Sequence, residues 1–264
     1  MATIVRGAQS RRPNGWLAVG GVFTALAIAA GGLSTAGWLG FRSETQDHTY
    51  HQAVTRISID VGTGDLKLSP GGAGEVAVHR RIFWSYSKPT IEERWDGQTL
   101  QVTARCRAAL LSLGPGCGVD YTIAVPEGVA VEAHTSTGDI SVRGVRGGLR
   151  LSTSTGDIAV TDATSNLWLR SSTGDIKATG VTSSDVEASV STGDVDLRFT
   201  EPPREVAIRA STGDVAVSVP DGEAYRVQTD TGTGDVHIGI RQDSGAERSI
   251  VVRTSTGDVA ISYA

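Results

Sequence analysis

Apolar and polar residues alternate in short stretches along the second half of the chain. In residues 149–160, Leu149 and Leu151 stand two apart before a Thr-Gly-Asp triplet, and Ile158 and Val160 stand two apart after it. A period of two is the pattern of a half-buried β-strand, because successive side chains point to opposite faces of a sheet. The stretch therefore predicts two strands that meet at a turn.

The same triplet occurs eight times, and the glycines of the last seven copies are 18 to 23 residues apart. Seven residues before each glycine, and again two residues after it, the residue is Val, Ile or Leu in every copy. Both positions are therefore predicted to lie in the core. A sequence motif that repeats every 18 to 23 residues indicates a repeat architecture, in which each unit buries its apolar face against its neighbours.

The turn at each triplet has its own chemistry. Glycine in the third place of Ser-Thr-Gly-Asp suits a type II turn, which needs a positive φ, and the following Asp can fold its carboxylate back onto local amides. We therefore predict a structural turn ladder. Its members are Gly64, Asp65, Gly138, Asp139, Gly156, Asp157, Gly174, Asp175, Gly193, Asp194, Gly213, Asp214, Gly234, Asp235, Gly257 and Asp258.

Two all-β folds could use such a unit. An antiparallel array of hairpins favours Asn-Gly or Gly-first turns, and Thr-Gly is neither. A parallel solenoid accounts better for the repeat, because stacked coils place identical residues above one another and tolerate insertions on one side. We expect a right-handed β-solenoid (a β-helix) over residues 55–264, with irregular coils at 55–130 and regular coils at 131–264. Each coil should stack on the one before it in the chain, at a spacing of ~4.8 Å.

The chain begins with a segment of a different kind. Residues 1–14 contain three arginines and no acid, and residues 15–41 are uncharged. Such an apolar stretch is long enough to cross the ~30 Å hydrocarbon core of a bilayer, with Trp16 and Trp38 as interfacial anchors. The basic flank predicts a cytoplasmic tail at the N-terminus, a transmembrane signal-anchor helix at 15–41, a juxtamembrane linker at 42–54 and an extracytoplasmic solenoid. A cleaved signal peptide is the alternative, and both interpretations export the rest of the chain.

A long insert separates the first copy of the triplet from the second. It contains an aromatic group made of Phe83, Trp84, Tyr86 and Trp95. We expect this group to cover the start of the core. An exposed binding site for a sugar or a protein is the alternative.

The insert also contains Cys106 and Cys117, the two cysteines of the chain. Two cysteines in an exported protein usually pair. We therefore predict a disulfide between them, which would close a short loop.

Charge limits the partners and the chemistry. From residue 43 onward there are 20 basic and 29 acidic residues, a balance that argues against nucleic-acid binding by a basic surface.

Stacked Asp carboxylates ~4.8 Å apart would repel by about 0.9 kcal/mol in water, so the column must be exposed and hydrogen-bonded, or neutralised. We predict a structural column. Calcium held between the carboxylates and a carbohydrate-cleaving pair of carboxylates are the alternatives. We expect no cofactor, no metal ion, no catalytic residue and no enzymatic activity.

The Ser-Thr-Gly-Asp repeats, the Val-Pro-Glu-Gly phrase at residues 125–128 and the single preceding hydrophobic segment resemble the bacterial putative-adhesin β-solenoid family of envelope proteins. The resemblance covers the chain from about residue 55 to its end. It implies a solenoid at the cell surface, and some relatives are linked to envelope-stress regulation. It brings no catalytic residues.

These observations predict a single-pass membrane protein whose exported solenoid is an adhesin-like interaction or scaffold module, with a protein or glycan partner at the cell surface. An envelope-polysaccharide-active enzyme and a calcium-dependent binding module are the alternatives. The sequence does not predict an oligomeric state.

Overall fold

The computed structural model describes residues 41–106 and 116–264. The predicted transmembrane segment at 15–41 lies outside these residues, apart from Phe41. Within the described part of the chain, no helix is long and apolar enough to cross a membrane.

The described residues form 21 β-strands and no helix. The strands are β1 (Arg42–Tyr50), β2 (Arg56–Thr63), β3 (Leu66–Pro70), β4 (Val76–Trp84), β5 (Thr90–Asp96), β6 (Thr99–Arg105), β7 (Gly118–Val125), β8 (Ala130–Thr137), β9 (Ile140–Arg143), β10 (Leu149–Thr155), β11 (Ile158–Thr161), β12 (Leu167–Thr173), β13 (Ile176–Val181), β14 (Asp185–Thr192), β15 (Val195–Phe199), β16 (Glu205–Thr212), β17 (Val215–Val219), β18 (Arg226–Thr233), β19 (Val236–Ile238), β20 (Ser249–Thr256) and β21 (Val259–Tyr263).

The strands build two mostly parallel sheets. Sheet A has the order β1-β4-β7-β3-β9-β11-β13-β15-β17-β21-β19, and sheet B has the order β18-β20-β16-β14-β12-β10-β8-β2-β6-β5. Each coil contributes one strand to sheet B, turns at Thr-Gly-Asp, and contributes one strand to sheet A. Equivalent residues of successive coils are in register, as Leu149 is with Leu167 and Val131. The all-β prediction, with stacked parallel coils, is confirmed.

The core lies between the two sheets. The position two residues after the turn glycine is at most 1% exposed in seven coils, which carry Leu66, Ile140, Ile158, Ile176, Val195, Val215 and Val259 there. The eighth coil is different, because its Val236 is 41% exposed. The prediction that this position is buried in every copy is therefore wrong for one coil.

That exception follows from the order in which the coils stack. Strand β20 lies between β16 and β18, and β21 lies between β17 and β19. The coil at residues 249–263, which we call the inserted coil, therefore lies between its two predecessors in the chain. The coil at residues 226–238, the terminal coil, closes the stack. The prediction of stacking in chain order is wrong at this end.

The composition of the two coils explains the exchange. Five residues before the turn glycine, seven coils carry Ile, Leu, Val or Ala, and the terminal coil alone carries Thr229. The inserted coil has fully buried Ile250 and Val252 on the same strand face. End repeats of a solenoid need a more polar face, because one side of them meets water. The more apolar coil is therefore buried, and the more polar coil lies at the end.

The long insert covers the other end of the stack. Strands β2 and β3 pair directly with β8 and β9, so the first coil adjoins the second copy of the repeat despite the intervening residues. Beyond it, β1, β4 and β7 pair antiparallel in sheet A, and β5 pairs antiparallel with β6 in sheet B. The predicted position of the insert is confirmed. Strands β6 and β7 also pair in parallel with β2 and β3, so they form one irregular coil of the kind that we expected at 55–130. Strands β1, β4 and β5 depart from that expectation, because they pair antiparallel with their neighbours.

The prediction of a linker at 42–54 is wrong for most of its length. Residues Arg42–Tyr50 form strand β1, which pairs antiparallel with β4 over nine residues. The strand lies at the edge of sheet A and is exposed over most of its length. An edge strand with little buried surface does not need alternating apolar residues, so its sequence resembles that of a linker.

Candidate functional site

The Thr-Gly-Asp turns form a continuous column along one side of the stack. The eight turn glycines have φ between 130° and 142°. The positive φ predicted for them is present, but it exceeds the ~80° of a type II turn. A Cβ atom at Gly156 would lie 2.2 Å from the carbonyl oxygen of Gly138 on the next coil. Two constraints therefore require glycine here: the positive φ angle and the close approach of the neighbouring turn.

The Asp residues bind across coils and not within their own turn. The backbone N–H of each Thr-Gly-Asp aspartate donates to Oδ1 of an aspartate on the adjacent coil, at N–O distances between 2.8 and 3.1 Å. In spatial order the ladder is Asp120, Asp65, Asp139, Asp157, Asp175, Asp194, Asp214, Asp258 and Asp235. Our prediction of local turn bonds is corrected by this geometry. Asp120 was missed because it does not follow a Thr-Gly pair.

This arrangement explains how the stack tolerates a row of like charges. Apart from the carboxylate at the open end, each has one oxygen held by a backbone N–H, and a hydrogen bond to a charged acceptor is stronger than one between neutral groups. The column is also exposed to water, which weakens the repulsion between neighbours. Among residues 41–106 and 116–264, no three His, Cys, Asp or Glu side chains are placed to hold a metal ion. The hydrogen bonds of the ladder join successive coils in one register.

Replacing Asp175 separates the acceptor role from the charge. Asp175→Ala removes the acceptor for the N–H of Asp194, and we expect a loss of about 1 kcal/mol in the free energy of unfolding. Asp175→Asn keeps an oxygen at the same place, so its loss should be smaller than that of the Ala variant. Urea denaturation of the purified full-length protein would measure both.

Two comparisons control that experiment. Asp96→Ala changes an exposed carboxylate on edge strand β5, outside the ladder, and should have little effect. Millimolar calcium should leave the melting temperature of the unmodified protein unchanged. A calcium-dependent rise that Asp175→Asn abolishes would contradict the structural role and identify a calcium site.

Two of the four aromatic residues of the insert pack onto the N-terminal end of the stack, and Tyr86 is exposed. Trp84 and Trp95 are partly buried against the core, and Trp95 meets Tyr50 edge-on at 5.6 Å between ring centroids. Beside them, Glu93 binds both Arg80 and the hydroxyl of Tyr50. These contacts agree with the expected covering role for Trp84 and Trp95, but not for Tyr86.

Phenol groups in this region are shielded from water. Burial raises the pKa of Tyr121 to about 12. Burial, followed by the hydrogen bond to Glu93, raises the pKa of Tyr50 above its usual range. Both phenols therefore stay neutral and contribute to packing at the end of the stack.

A second aromatic feature, Trp168, was not singled out by the sequence reasoning. It lies on the outward face of sheet B, in register with Arg150 on one side and Glu187 on the other. The guanidinium carbon of Arg150 lies 4.3 Å from the centroid of the Trp168 ring, a cation–π contact. An alignment of the repeats could have identified Trp168, because no other coil carries an aromatic residue six positions before the turn glycine.

A shallow groove of about 420 Å³ surrounds this tryptophan. Its lining comes from six adjacent strands of sheet B, from Arg56 on β2 to Ala207 on β16. At the usual spacing between strands, the groove is ~24 Å long and runs along the axis of the stack. We call it the Trp168 groove. It is the candidate binding site on the regular part of the fold.

The charges around the Trp168 groove are largely paired. Glu187 accepts from Arg209 at 2.8 Å, Asp185 binds Arg204, and Glu132 lies 3.9 Å from Arg56. Ion pairs between successive strands thus leave little uncompensated charge. The groove combines an aromatic surface with hydrogen-bonding groups on both sides.

The regular coils also match a known family. Residues 128–262 fit the family model described as Toastrack DUF4097. The chain belongs to the Toastrack DUF4097 family. The match begins before β8 and ends within β21, so the antiparallel strands at the N-terminal end and the first coil lie before the Toastrack region.

Several solved structures are similar to the Toastrack chain at low sequence identity. A putative cell adhesion protein from Clostridium sporogenes is 15% identical, covers 84% of this chain and 100% of its own, and has a TM-score of 0.39. A putative lipid binding protein from Parabacteroides distasonis is 13% identical, with 84% and 97% covered and a TM-score of 0.45. A putative adhesin from Bacteroides fragilis is 13% identical, with 83% and 97% covered and a TM-score of 0.45. None of the curated proteins compared with the chain is significantly similar to it.

One further group on the Toastrack surface has the residue types of a hydrolase triad. Asp60, His134 and Ser152 are in register on β2, β8 and β10, and Nδ1 of His134 lies 2.9 Å from Oγ of Ser152. A triad needs a carboxylate to orient the imidazole. The carboxylate of Asp60 instead binds Arg105. The three side chains therefore do not form a catalytic relay.

Proposed function

We propose that this Toastrack protein is an adhesin-like interaction or scaffold module on the outer side of the cell membrane. The observation that carries the proposal is the in-register outward face of sheet B, which presents the Trp168 groove across six strands. Solenoid proteins use such extended surfaces to bind partners. The eight stacked coils provide a surface ~34 Å long along their axis at the usual strand spacing.

The backbone of the stack supports this role by its rigidity. Every pair of adjacent coils is joined by parallel strands in both sheets and by a bond of the Asp ladder. A ligand that contacts several coils therefore meets a surface that is already organised, and little conformational entropy is lost on binding.

Two features support an exported location. Cys106 and Cys117 are joined in a disulfide, the bond expected in oxidising compartments. The uncharged residues 15–41, preceded by basic residues, have the composition of a membrane anchor with a cytoplasmic N-terminus. The proposal also includes a contribution to the envelope-stress response. This part rests on the resemblance of the repeats to the adhesin-like family alone.

Protease treatment of intact cells tests the location. With one tag at the N-terminus and another in the solenoid, external protease should remove the solenoid tag and spare the N-terminal tag. In permeabilised cells both tags should be lost. A solenoid tag that is protected until the cells are permeabilised would contradict the outer location. Recovery of mature protein that begins at Gly37 would replace the anchor with a cleaved signal peptide.

A further inference from the structure

We propose that the Trp168 groove binds an uncharged oligosaccharide chain laid along the axis of the stack. This inference rests on the proposed function as a surface interaction module, and it names the site and the chemical class of the ligand.

The shape of the groove favours an elongated ligand. Its volume falls within the range of small-molecule sites, but its lining is spread over six strands instead of closing around one point. A chain of sugar rings can follow this line and contact several coils. A single small molecule would fill only part of the groove.

The lining chemistry suits sugar rings. The indole of Trp168 is partly exposed, and the guanidinium of Arg150 lies over its ring at 4.3 Å and restrains its orientation. The C–H face of a pyranose can pack against the part of the indole that Arg150 leaves open. On either side, the carboxylate of Glu187 can accept hydrogen bonds from sugar hydroxyls, and the amide of Asn166 can both donate to them and accept from them. One aromatic surface flanked by such groups matches a ligand with both apolar and hydroxylated faces.

The charge of the lining favours a neutral ligand. It includes Arg56 and Arg150 together with three carboxylates, Asp185, Glu187 and Glu205. Two of these carboxylates are already paired with arginines of the next coil. An anionic polymer would meet carboxylates along the groove, and a cationic one would meet the two arginines. An uncharged chain meets neither penalty.

A peptide fits the groove less well. Extended peptides gain affinity by adding a strand to an open sheet edge, and the edges of sheet B are β18 and β5, outside the groove. The small residues Gly148, Ala130 and Ala207 line the groove. The backbone groups beneath it are already paired between strands.

Calorimetry with the purified full-length protein tests the proposal. The probes are chitohexaose and cellohexaose as neutral chains, an oligogalacturonate of equal length as an acidic chain, and an extended polar peptide. We expect one of the neutral chains to bind. Trp168→Ala should weaken that binding by about tenfold or more, and Trp168→Phe, which keeps a ring, by about threefold.

Two further variants keep the test independent of folding. Tyr86→Ala removes an aromatic side chain that is 55% exposed and lies away from the groove, so it should leave the affinity unchanged. Asn166→Ala changes only a groove side chain and should weaken binding several-fold even if Trp168→Ala lowers the melting temperature.

Four results would overturn the inference. They are no binding of either neutral chain at millimolar concentration, stronger binding of the acidic chain, binding of the peptide alone, and neutral-chain binding that neither Trp168→Ala nor Asn166→Ala weakens. None of these results would contradict the outer location, which the protease experiment decides separately. Binding of the peptide alone would retain an interaction module with a protein partner.

Discussion

Gly174→Ala should reduce the free energy of unfolding by more than about 4 kcal/mol, an exceptional loss for one methyl group. The φ of Gly174 is 130°, which L residues rarely adopt, and the new Cβ would lie 2.1 Å from the carbonyl oxygen of Gly156. That carbonyl cannot withdraw easily, because it accepts a hydrogen bond from Ser171 and its own residue donates to Thr173. Relief of the clash therefore requires adjacent coils to separate.

Gly97→Ala is the matched control for the backbone angle. Gly97 also has a positive φ, 60°, but a Cβ there would meet no heavy atom within 4 Å. Its replacement should cost only about 1–2 kcal/mol, the usual penalty for a left-handed conformation. Urea unfolding would measure both variants, and hydrogen exchange should show lost protection in the coils on either side of Gly174. Equal losses for the two variants would show that the close approach between turns is not a constraint.

Val259→Ala should cost about 2–3 kcal/mol, whereas Val236→Ala should cost less than about 1 kcal/mol. The two valines occupy the same position of the repeat, two residues after the turn glycine, and they pair with each other in sheet A. Val259 is 1% exposed because its coil is enclosed on both sides, and Val236 is 41% exposed because its coil ends the stack. The same deletion therefore leaves a cavity at one site and almost none at the other.

This pair of variants tests the order of the coils directly. If the coils followed the chain, Val236 would lie inside the stack and Val259 at its end, and the two losses would be reversed. Equilibrium unfolding of the purified protein, with thermal melts as a second measure, distinguishes the two orders. Equal losses would contradict the arrangement in which the inserted coil separates β17 from β19.

The turn column shows how far the repeat alone could predict a site. Every copy of the repeat has a Gly-Asp pair, as at Gly156 and Asp157. This recurrence predicted a structural role for both positions. It could not identify the partner of the carboxylate, because a bond within one turn and a bond to the next coil require the same residue. The backbone nitrogen of Asp157 lies 2.9 Å from Oδ1 of Asp139, which shows that the bond is to the next coil.

The two aromatic regions were predicted with different success. Aromatic residues are concentrated at residues 83–95, and this concentration predicted that they cover the start of the core. In the structure, Trp84 and Trp95 pack against that end of the core. Trp168 stands alone in its part of the sequence. Its importance comes from strands β10 and β14, which place Arg150 and Glu187 beside it, and such neighbours are visible only once the register between coils is known.

The sequence by itself determined the strands, the turns and the parallel stacking of the repeats, because these depend on apolar periodicity and on glycine at one fixed position. The order of the last two coils also had a local signal in Thr229. That signal becomes decisive only in the assembled stack, where one coil must meet water and the other must be buried. The antiparallel strands before the repeats, above all the polar edge strand β1, were decided by the tertiary structure alone. Their stability comes from backbone pairing with distant strands, and such pairing leaves little mark on the pattern of side chains.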